Sequence, residues 1–226
     1  MPNETRLVWD LPTRLFHWLL VVTLISLYTT AKLGFDWMPW HMRLGYLMIG
    51  LLLFRVVWGF VGPRHARFVN FIRGPSSVVA YLKGGIHSVG HNPLGAGMVV
   101  LMLLLLAVQT STGLFSTDDI AYIGPYNPSV NHALAEKLTG VHHWNFNLIL
   151  GAVALHLAAI VFYTLVKKER LVQAMWHGEK PATYVPADQA IASSQLWKAA
   201  IVIVVAAGCV VWLVHAAPPA PTSIDY

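Results

Sequence analysis

The sequence has little cysteine and few charged residues, and both scarcities restrict its chemistry. Its single cysteine, Cys209, lies inside an apolar run, which excludes an internal disulfide, a covalent CxxCH attachment and a four-thiolate cluster. Only 11% of the 226 residues are charged, whereas an ordinary soluble domain has roughly 25%. Together with 56% hydrophobic residues, this composition predicts an all-α integral membrane protein.

Five apolar segments are long enough to cross a membrane, which takes about 20 residues of helix. They run from Leu15 to Leu33, Leu44 to Val61, Leu94 to Phe115, Val141 to Val166 and Leu196 to Val214. The first is longer than a signal-peptide core and lacks a small-x-small cleavage site, so we expect it to be retained. Between the second and third segments, a short interfacial helix is predicted around Pro75 to Lys83.

Lys and Arg are distributed unequally between the two sides of this arrangement. With the N-terminus in the cytoplasm, twelve of the 15 basic residues lie on the cytoplasmic side and only Lys32, Arg43 and Lys137 lie outside. The positive-inside rule therefore predicts a cytoplasmic N-terminus and a C-terminus outside. The net charge of +5 is then explained by topology and attraction to anionic lipid, and nucleic-acid binding is not expected.

Four histidines fall at matching depths in the predicted spans. His142 and His156 are fourteen residues apart in the fourth span, so they share nearly one helix face and are separated by about 21 Å along the axis. His17 opens the first span from inside, and His41 opens the second from outside. The topology therefore pairs His41 with His142 near the outer surface and His17 with His156 near the inner one.

Each pair offers two neutral imidazoles from facing helices, which suits the two axial positions of iron in a porphyrin. Closed six-fold coordination favours electron transfer over oxygen binding, whereas zinc would require two further ligands at each depth. The sequence therefore predicts two haems, one at each pair. His143 is the alternative to His142, but its side chain is turned about 100° further from His156. The other interpretation of His41 is an interfacial residue that is hydrogen-bonded to water or lipid headgroups and binds no metal.

Other residues are candidates for holding the cofactors. Gly45, Gly50 and Gly151 would let a flat ring approach the helix backbone, although all three are also typical of plain helix packing. Cations for the inner haem propionates are Arg14, Arg55 and Arg67, with Arg64 nearby. Arg55 is favoured because an arginine within a span requires an anion, whereas Arg64 and Arg67 also fit ordinary positive-inside residues. Lys32 and Arg43 are the candidates for the outer haem.

The remaining histidines and the outer loop are expected at the surface. The histidines predicted to be solvated are His65, His87, His91, His132, His177 and His215. The outer loop from Ser116 to Gly140 contains Asp118, Asp119 and Glu136 against one Lys, and it leads directly to His142. We expect a redox partner to dock there, with His132 near the point where electrons leave.

Several sequence patterns resemble the bacterial cytochrome b561 family, especially its b-type cytochrome subunits of nickel-iron hydrogenases. These are RLFHW, HMRLGY, FRVVWGFVG, ARF and the H-x13-H spacing, and the resemblance covers about residues 7 to 178. It implies a four-helix haem-binding transmembrane bundle in the bacterial inner membrane, with two b haems on the four histidines and exchange with quinone. The expected division is a di-haem domain over 1–178, a cytoplasmic linker over 179–195, and an additional helix and tail over 196–226.

Three functions follow from these patterns. The favoured one is an electron-transfer subunit that connects a periplasmic cytochrome c, hydrogenase or other dehydrogenase with membrane quinone. The second is a stand-alone oxidoreductase, such as a superoxide-to-quinone enzyme, which the scarcity of outer Lys and Arg disfavours. The third is a haem-free anchor or transporter, against which the lack of midplane charges and inverted repeats argues. The patterns do not fix the oligomeric state.

Overall fold

The computed structural model describes residues 4–84 and 88–219, most of which are helical. The helices are α1 (Leu11–Leu33), α2 (Met38–Val61), α3 (Phe68–Phe71), α4 (Pro75–Leu82), α5 (Pro93–Gly113), α6 (His132–Leu165), α7 (Leu171–His177) and α8 (Leu196–His215). Two short strands, β1 (Thr5–Leu7) and β2 (Glu179–Pro181), pair in antiparallel fashion. A short helix, α4, occupies the position where the interfacial helix is predicted.

Within the described residues, five helices are long and apolar enough to cross a membrane: α1, α2, α5, α6 and α8. This confirms the predicted all-α membrane protein. Helices α1, α2, α5 and α6 form a bundle in which α1 packs on α2 and α5 on α6, and α8 packs on the outside of α2. We call the end of the bundle that carries β1 and β2 the strand end, and the opposite end, which carries residues 114–131, the loop end.

Helix α6 begins earlier than the apolar run alone predicts. Its first residue is His132, nine residues before Val141, because the side chain of Asn131 caps the helix by accepting the N–H of Leu134. The resulting helix of 34 residues is about 51 Å long. His142 therefore lies three turns inside the helix rather than at its start. At this interior position, neighbouring residues can pack against both sides of its ring.

An apolar layer separates the two histidine levels. Met48, Leu52, Leu106 and Ile149 pack together as one buried cluster at mid-height. Ile149 is seven residues from both His142 and His156, which places it about 10 Å along the axis from each. The bundle thus has a histidine pair near each end and apolar side chains between the two pairs.

Small residues fix α8 against α2. Ala199, Val202 and Ala206 of α8 pack into the same buried cluster as Leu51 and Phe54 of α2. Small side chains let two membrane helices approach closely, which is the main source of their attraction in lipid. A Cβ at Gly50 would lie 3.5 Å from Val210, so Gly50 serves helix packing, one of the two roles considered for it.

The strand end is closed by chain segments from both termini of the four-helix bundle. β1 pairs with β2, and Val8 and Trp9 are buried together with Ala174 and Val185. Residues 179–195, expected as a linker, are therefore packed against the N-terminal segment. This cap lies directly over the ends of α1 and α2, and it determines the surroundings of several polar side chains described below.

Candidate metal centres

His41 and His142 face each other at the loop end. Their ring centroids are 6.4 Å apart and their planes are inclined by 77°. A metal bound about 2 Å from one nitrogen of each ring would separate the centroids by about 6 Å, since each centroid lies about 1 Å behind its nitrogen. The two predicted partners thus stand at a separation that fits one shared metal ion.

Backbone carbonyls orient both imidazoles. His41 Nδ1 donates to the carbonyl of Leu27 at 3.0 Å, and His142 Nδ1 donates to the carbonyl of Gln109 at 2.9 Å. Because a carbonyl can only accept, each Nδ1 carries the proton and each Nε2 keeps its lone pair for a metal. This is how metal-binding histidines are usually held, with the second nitrogen fixed by a hydrogen bond. These carbonyls belong to α1 and α5 and have no signature in the sequence.

Asn145 fixes α6 against α5 beside His142. Its buried amide donates to the carbonyl of Leu105 at 2.9 Å and to Oε1 of Gln109 at 2.8 Å. Sequence reasoning missed this residue, although a polar side chain within a span is a signal for a structural or functional role. The backbone carbonyl of Gln109 also accepts the hydrogen bond from His142. By holding Gln109, Asn145 therefore stabilises the position of the His142 ring indirectly.

A cavity of about 510 Å³ adjoins this histidine pair, with walls from α1, α2, α5, α6 and the loop after α5. Gly45 forms part of its wall, and a Cβ there would meet nothing within 4 Å. A Cβ at Gly113 would lie 2.9 Å from Cε1 of His142. The imidazole of His142 therefore needs a glycine at position 113, a requirement with no sequence signature. A large, mostly apolar cavity beside two free imidazole nitrogens fits an iron porphyrin.

His143 also borders the cavity but is held differently. It is exposed, with its ring centroid 6.2 Å from that of His142. Among residues 4–84 and 88–219, no hydrogen bond fixes its ring, whereas His142 is fixed by Gln109. The geometry therefore favours His142 over His143 as the ligand.

His17 and His156 lie at the strand end. Both are half-buried, and they are close enough to interact electrostatically. His17 Nδ1 is inaccessible to solvent and has no hydrogen-bond partner among the described residues. Gly151 lies five residues before His156, and a Cβ on it would meet nothing within 4 Å. The second pair is thus brought to one level, and Gly151 is exposed on α6, about 140° around the helix from His156.

Arg55 is a buried cation with one acidic neighbour, Asp10, which acts on it from beyond salt-bridge distance. The residue is 2% exposed, and its guanidinium carbon lies 4.6 Å from the ring centroid of Phe68. Within the described ranges, no carboxylate lies within 4 Å of it and Nη1 has no hydrogen-bond partner. An unpaired buried charge is strongly unfavourable. Arg55 is therefore a candidate to bind an anionic group.

Aromatic contacts place Arg55 level with His17. Phe16, next to His17 on α1, has its ring centroid 6.4 Å from that of Phe54, which is next to Arg55 on α2. The predicted depth of Arg55, at the level of the strand-end histidines, agrees with this contact.

Two other predicted cations occupy different positions. Arg14 is half-buried and donates through Nη1 to the carbonyl of Trp176, so it links α1 to α7. Its Nε is inaccessible and has no partner among the residues described. Arg67 is exposed and lines a surface groove together with Arg64 and Lys198. This exposure favours the ordinary basic-surface interpretation for Arg67.

At the loop end, Lys32 and Arg43 also differ. Lys32 lines the cavity beside His41 and is a cation available to an acidic group bound there. Arg43 is exposed and lies over the ring of Trp40, with 5.0 Å between the guanidinium carbon and the ring centroid. Of the two predicted residues, Lys32 has the better position.

The expectation that His65 and His91 are solvated is wrong. His65 is buried and donates from Nε2 to the carbonyl of Gln189 at 2.8 Å. His91 packs between Trp9 and Phe71, with ring centroids 4.6 and 4.5 Å away. The strand-end cap covers both, and burial lowers the pKa of His65 and lowers that of His91 to about 3. His132, His177 and His215 are exposed, as predicted, and His87 lies outside the described residues.

Asp118 holds the loop that closes the cavity. Its Oδ1 accepts the backbone N–H groups of Ile120, Ala121 and Tyr122 at 2.8 to 3.0 Å. Partial burial alone would raise the pKa of Asp118, but these hydrogen bonds outweigh it and lower the pKa below its usual value. The carboxylate is therefore occupied within the loop, and Asp118 is less available to a docking partner than its sequence position suggests.

Asp119 and Glu136 remain exposed at the loop end. They flank His132, with Asp119 3.4 Å from Nε2 and Glu136 3.6 Å from Nδ1. Because the two carboxylates approach opposite nitrogens of one ring, the arrangement is an exposed electrostatic cluster rather than a single-metal geometry. These two acids define the charged surface that a soluble protein would meet.

Comparison with known proteins gives two matches. A family model described as prokaryotic cytochrome b561 matches residues 8–178, a range that contains all four histidines. A protein of Rhizobium leguminosarum bv. viciae, named as a probable Ni/Fe-hydrogenase B-type cytochrome subunit, is 23% identical over 217 residues, covering 76% of this chain and 87% of that protein. No solved structure matches the chain significantly.

Proposed function

The chain belongs to the prokaryotic cytochrome b561 family, and from that premise we propose that it is a di-haem cytochrome transferring electrons between a redox protein outside the membrane and quinone within it. Its class, a multi-pass membrane b-type cytochrome that works in electron transfer, follows from the family and its helices. The observation that best supports the finer proposal is the separation of 6.4 Å between the oriented rings of His41 and His142.

In this proposal, His41 and His142 would hold the haem at the loop end, and His17 and His156 would hold the haem at the strand end. Gly45 and Gly151 leave room for the rings, and Lys32 and Arg55 neutralise propionates. Arg14 contributes through its unpartnered Nε. When bound, each haem would supply a one-electron iron centre. Two imidazoles at each level would disfavour oxygen binding and favour electron transfer.

We further propose that the strand end faces the cytoplasm of a bacterial inner membrane. Arg14, Arg64, Arg67 and Lys180 lie there, whereas the loop end has few basic residues. The positive-inside rule orients a protein by this difference. The N-terminus is then cytoplasmic, and α8 carries the C-terminus to the periplasm.

The partner outside the membrane is proposed to be a hydrogenase, another dehydrogenase or a c-type cytochrome. The relative is named as a probable Ni/Fe-hydrogenase B-type cytochrome subunit, and the exposed acids at the loop end offer a surface near His142. Quinone is the proposed partner inside the membrane. Reduction of one quinone to quinol takes two electrons, which the protein delivers one at a time, and two protons.

Haem content tests this proposal directly. Protein purified in mild detergent should contain two b haems per chain, both six-coordinate and low-spin. Extraction and quantification of haem gives the stoichiometry, and absorption spectra of the oxidised and reduced forms give the spin state. If the purified protein is folded but contains no haem, the anchor or transporter interpretation would replace the proposal. One haem per chain would mean that only one histidine pair binds haem.

Charge reversal at the loop end tests the docking surface. Asp119→Lys with Glu136→Lys replaces attraction to a soluble basic c-type cytochrome by repulsion, so electron transfer with it should slow by about tenfold at low salt. Salt screens exposed charges over about 8 Å at physiological ionic strength. The difference from wild type should shrink as salt rises, with both haem spectra unchanged. Stopped-flow absorbance measures the rate.

The matched control is Glu169→Lys with Asp188→Lys, an equal charge change at exposed positions of the strand end. This double variant should react at the wild-type rate. Equal slowing in both double variants would reflect net charge alone and would remove the loop end as the docking surface.

A further inference from the structure

Two of the inaccessible nitrogen atoms that lack partners at the strand end belong to groups close enough to interact electrostatically. They are Nη1 of Arg55 and Nδ1 of His91, neither of which has a hydrogen-bond partner among residues 4–84 and 88–219. Buried polar groups are almost always hydrogen-bonded, so each such atom requires an explanation. Two of them close together indicate that one acceptor is bound between them.

Aromatic rings enclose both groups. The ring centroid of Phe71 is 5.9 Å from the guanidinium carbon of Arg55 and 4.5 Å from the ring centroid of His91. Phe68 covers the other side of the guanidinium and packs so closely on α2 that a Cβ at Gly59 would collide with it. The surroundings are therefore apolar, which strengthens any electrostatic interaction formed there.

The charged neighbours do not satisfy Arg55. His65 and Lys180 are the other basic groups that act on His91, and both are bonded to backbone carbonyls. Asp10 is the acidic group that acts on Arg55, but its carboxylate is fully buried and accepts from Thr13 and the indole of Trp58. The local balance is positive, and it favours one additional anion.

Burial keeps His91 neutral. Desolvation is the main cause that lowers its pKa to about 3, and the positive charge of Arg55 lowers it further. At physiological pH the imidazole therefore acts as an uncharged donor through Nδ1–H. A neutral donor and a cation side by side are suited to the two oxygens of a carboxylate.

We propose that Arg55 and His91 together bind one carboxylate, a propionate of the strand-end haem. The proposal rests on the di-haem function and adds His91, from the loop before α5, to the binding residues. The contact between Phe16 and Phe54 that brings Arg55 level with His17 supports the haem as the source. His91 acts on the iron only through the propionate, so it is a positioning residue that tunes the haem potential.

Midpoint potentials of the two haems, measured by spectroelectrochemistry on the intact di-haem protein, test this inference. His91→Phe keeps the aromatic packing but removes the donor, so the propionate charge is less neutralised and the strand-end haem becomes harder to reduce. Its reduction equilibrium should shift about threefold, which is roughly 30 mV for a one-electron couple. Arg55→Leu should shift it about tenfold, about 59 mV. The loop-end potential should stay constant.

Conservative variants separate hydrogen bonding from packing. His91→Asn retains a donor near the Nδ1 position and should restore most of the wild-type potential. His65→Gln, which can keep the bond to Gln189, should leave both potentials unchanged. The resonance Raman band of the propionate should move in His91→Phe but not in His65→Gln.

Several outcomes would overturn the inference. Unchanged strand-end potential in His91→Phe with both haems bound would exclude the contact, and equal shifts of both haems would indicate a general structural effect. If the wild-type potential followed the phosphate or acetate concentration, the anion would come from solution. Failure of the di-haem function is distinguishable, since wild-type protein would then contain fewer than two haems before any variant is compared.

Discussion

His142→Ala should remove the loop-end haem and leave the strand-end haem bound. The substitution deletes the imidazole that faces His41 and that is oriented by a hydrogen bond to the carbonyl of Gln109. Loss of a residue that only supports a metal ligand lowers affinity by about 10- to 100-fold, so we expect loss of the ligand itself to lower it by more than about 100-fold. Haem per chain should fall from two to one. Potentiometric titration should then show a single component.

His143→Ala is the matched control, because it removes a neighbouring imidazole that no hydrogen bond fixes among the described residues. It should retain both haems with wild-type spectra. Loss of a haem in His143→Ala with retention in His142→Ala would show that the ligand is the other neighbour. The reciprocal variants His17→Ala and His156→Ala should lose the strand-end haem, and haem content must be measured on monodisperse protein so that collapse of the bundle is recognised.

The main architecture was predictable because it depends on helix periodicity and hydropathy. The fourteen-residue spacing of His142 and His156, combined with the direction of each span, predicted which histidines share a level. The structure brings His41 and His142 together as this arithmetic predicts. Five spans were likewise predictable, since hydrocarbon thickness fixes the length of apolar helix that each needs.

The supporting contacts were not predictable, because their partners are backbone atoms or distant segments. The carbonyls of Leu27 and Gln109 that orient the ligands have no sequence signature. His91 occurs in a polar loop, where exposure is the usual expectation, yet the strand-end cap covers it. Asp118 looked like a docking charge, but its hydrogen bonds to the next residues depend on a turn conformation that composition does not specify.

Gly45→Leu should displace the loop-end haem by filling its cavity. Gly45 lies one turn after His41 in the cavity wall, and a Cβ there points into open space. A leucine side chain would occupy the volume next to the ligand plane, and overpacking a fitted site costs about 1 to 3 kcal/mol. Because about 1.4 kcal/mol is tenfold in affinity, the affinity for the loop-end haem should fall by about 5- to 150-fold, and haem should be lost from this site during purification. The strand-end haem should remain fully bound.

Gly97→Leu provides the comparison for this prediction. Gly97 is also inside a membrane helix, is exposed, and has open space at its Cβ, but it does not line the cavity. Both variants gain the same helix propensity and differ only in whether the new side chain meets lipid or the cavity. Gly97→Leu should keep two haems. Two haems with unchanged spectra in Gly45→Leu would mean that the ring lies against another wall of the cavity, toward α5 and α6, and that Gly45 serves helix packing as Gly50 does.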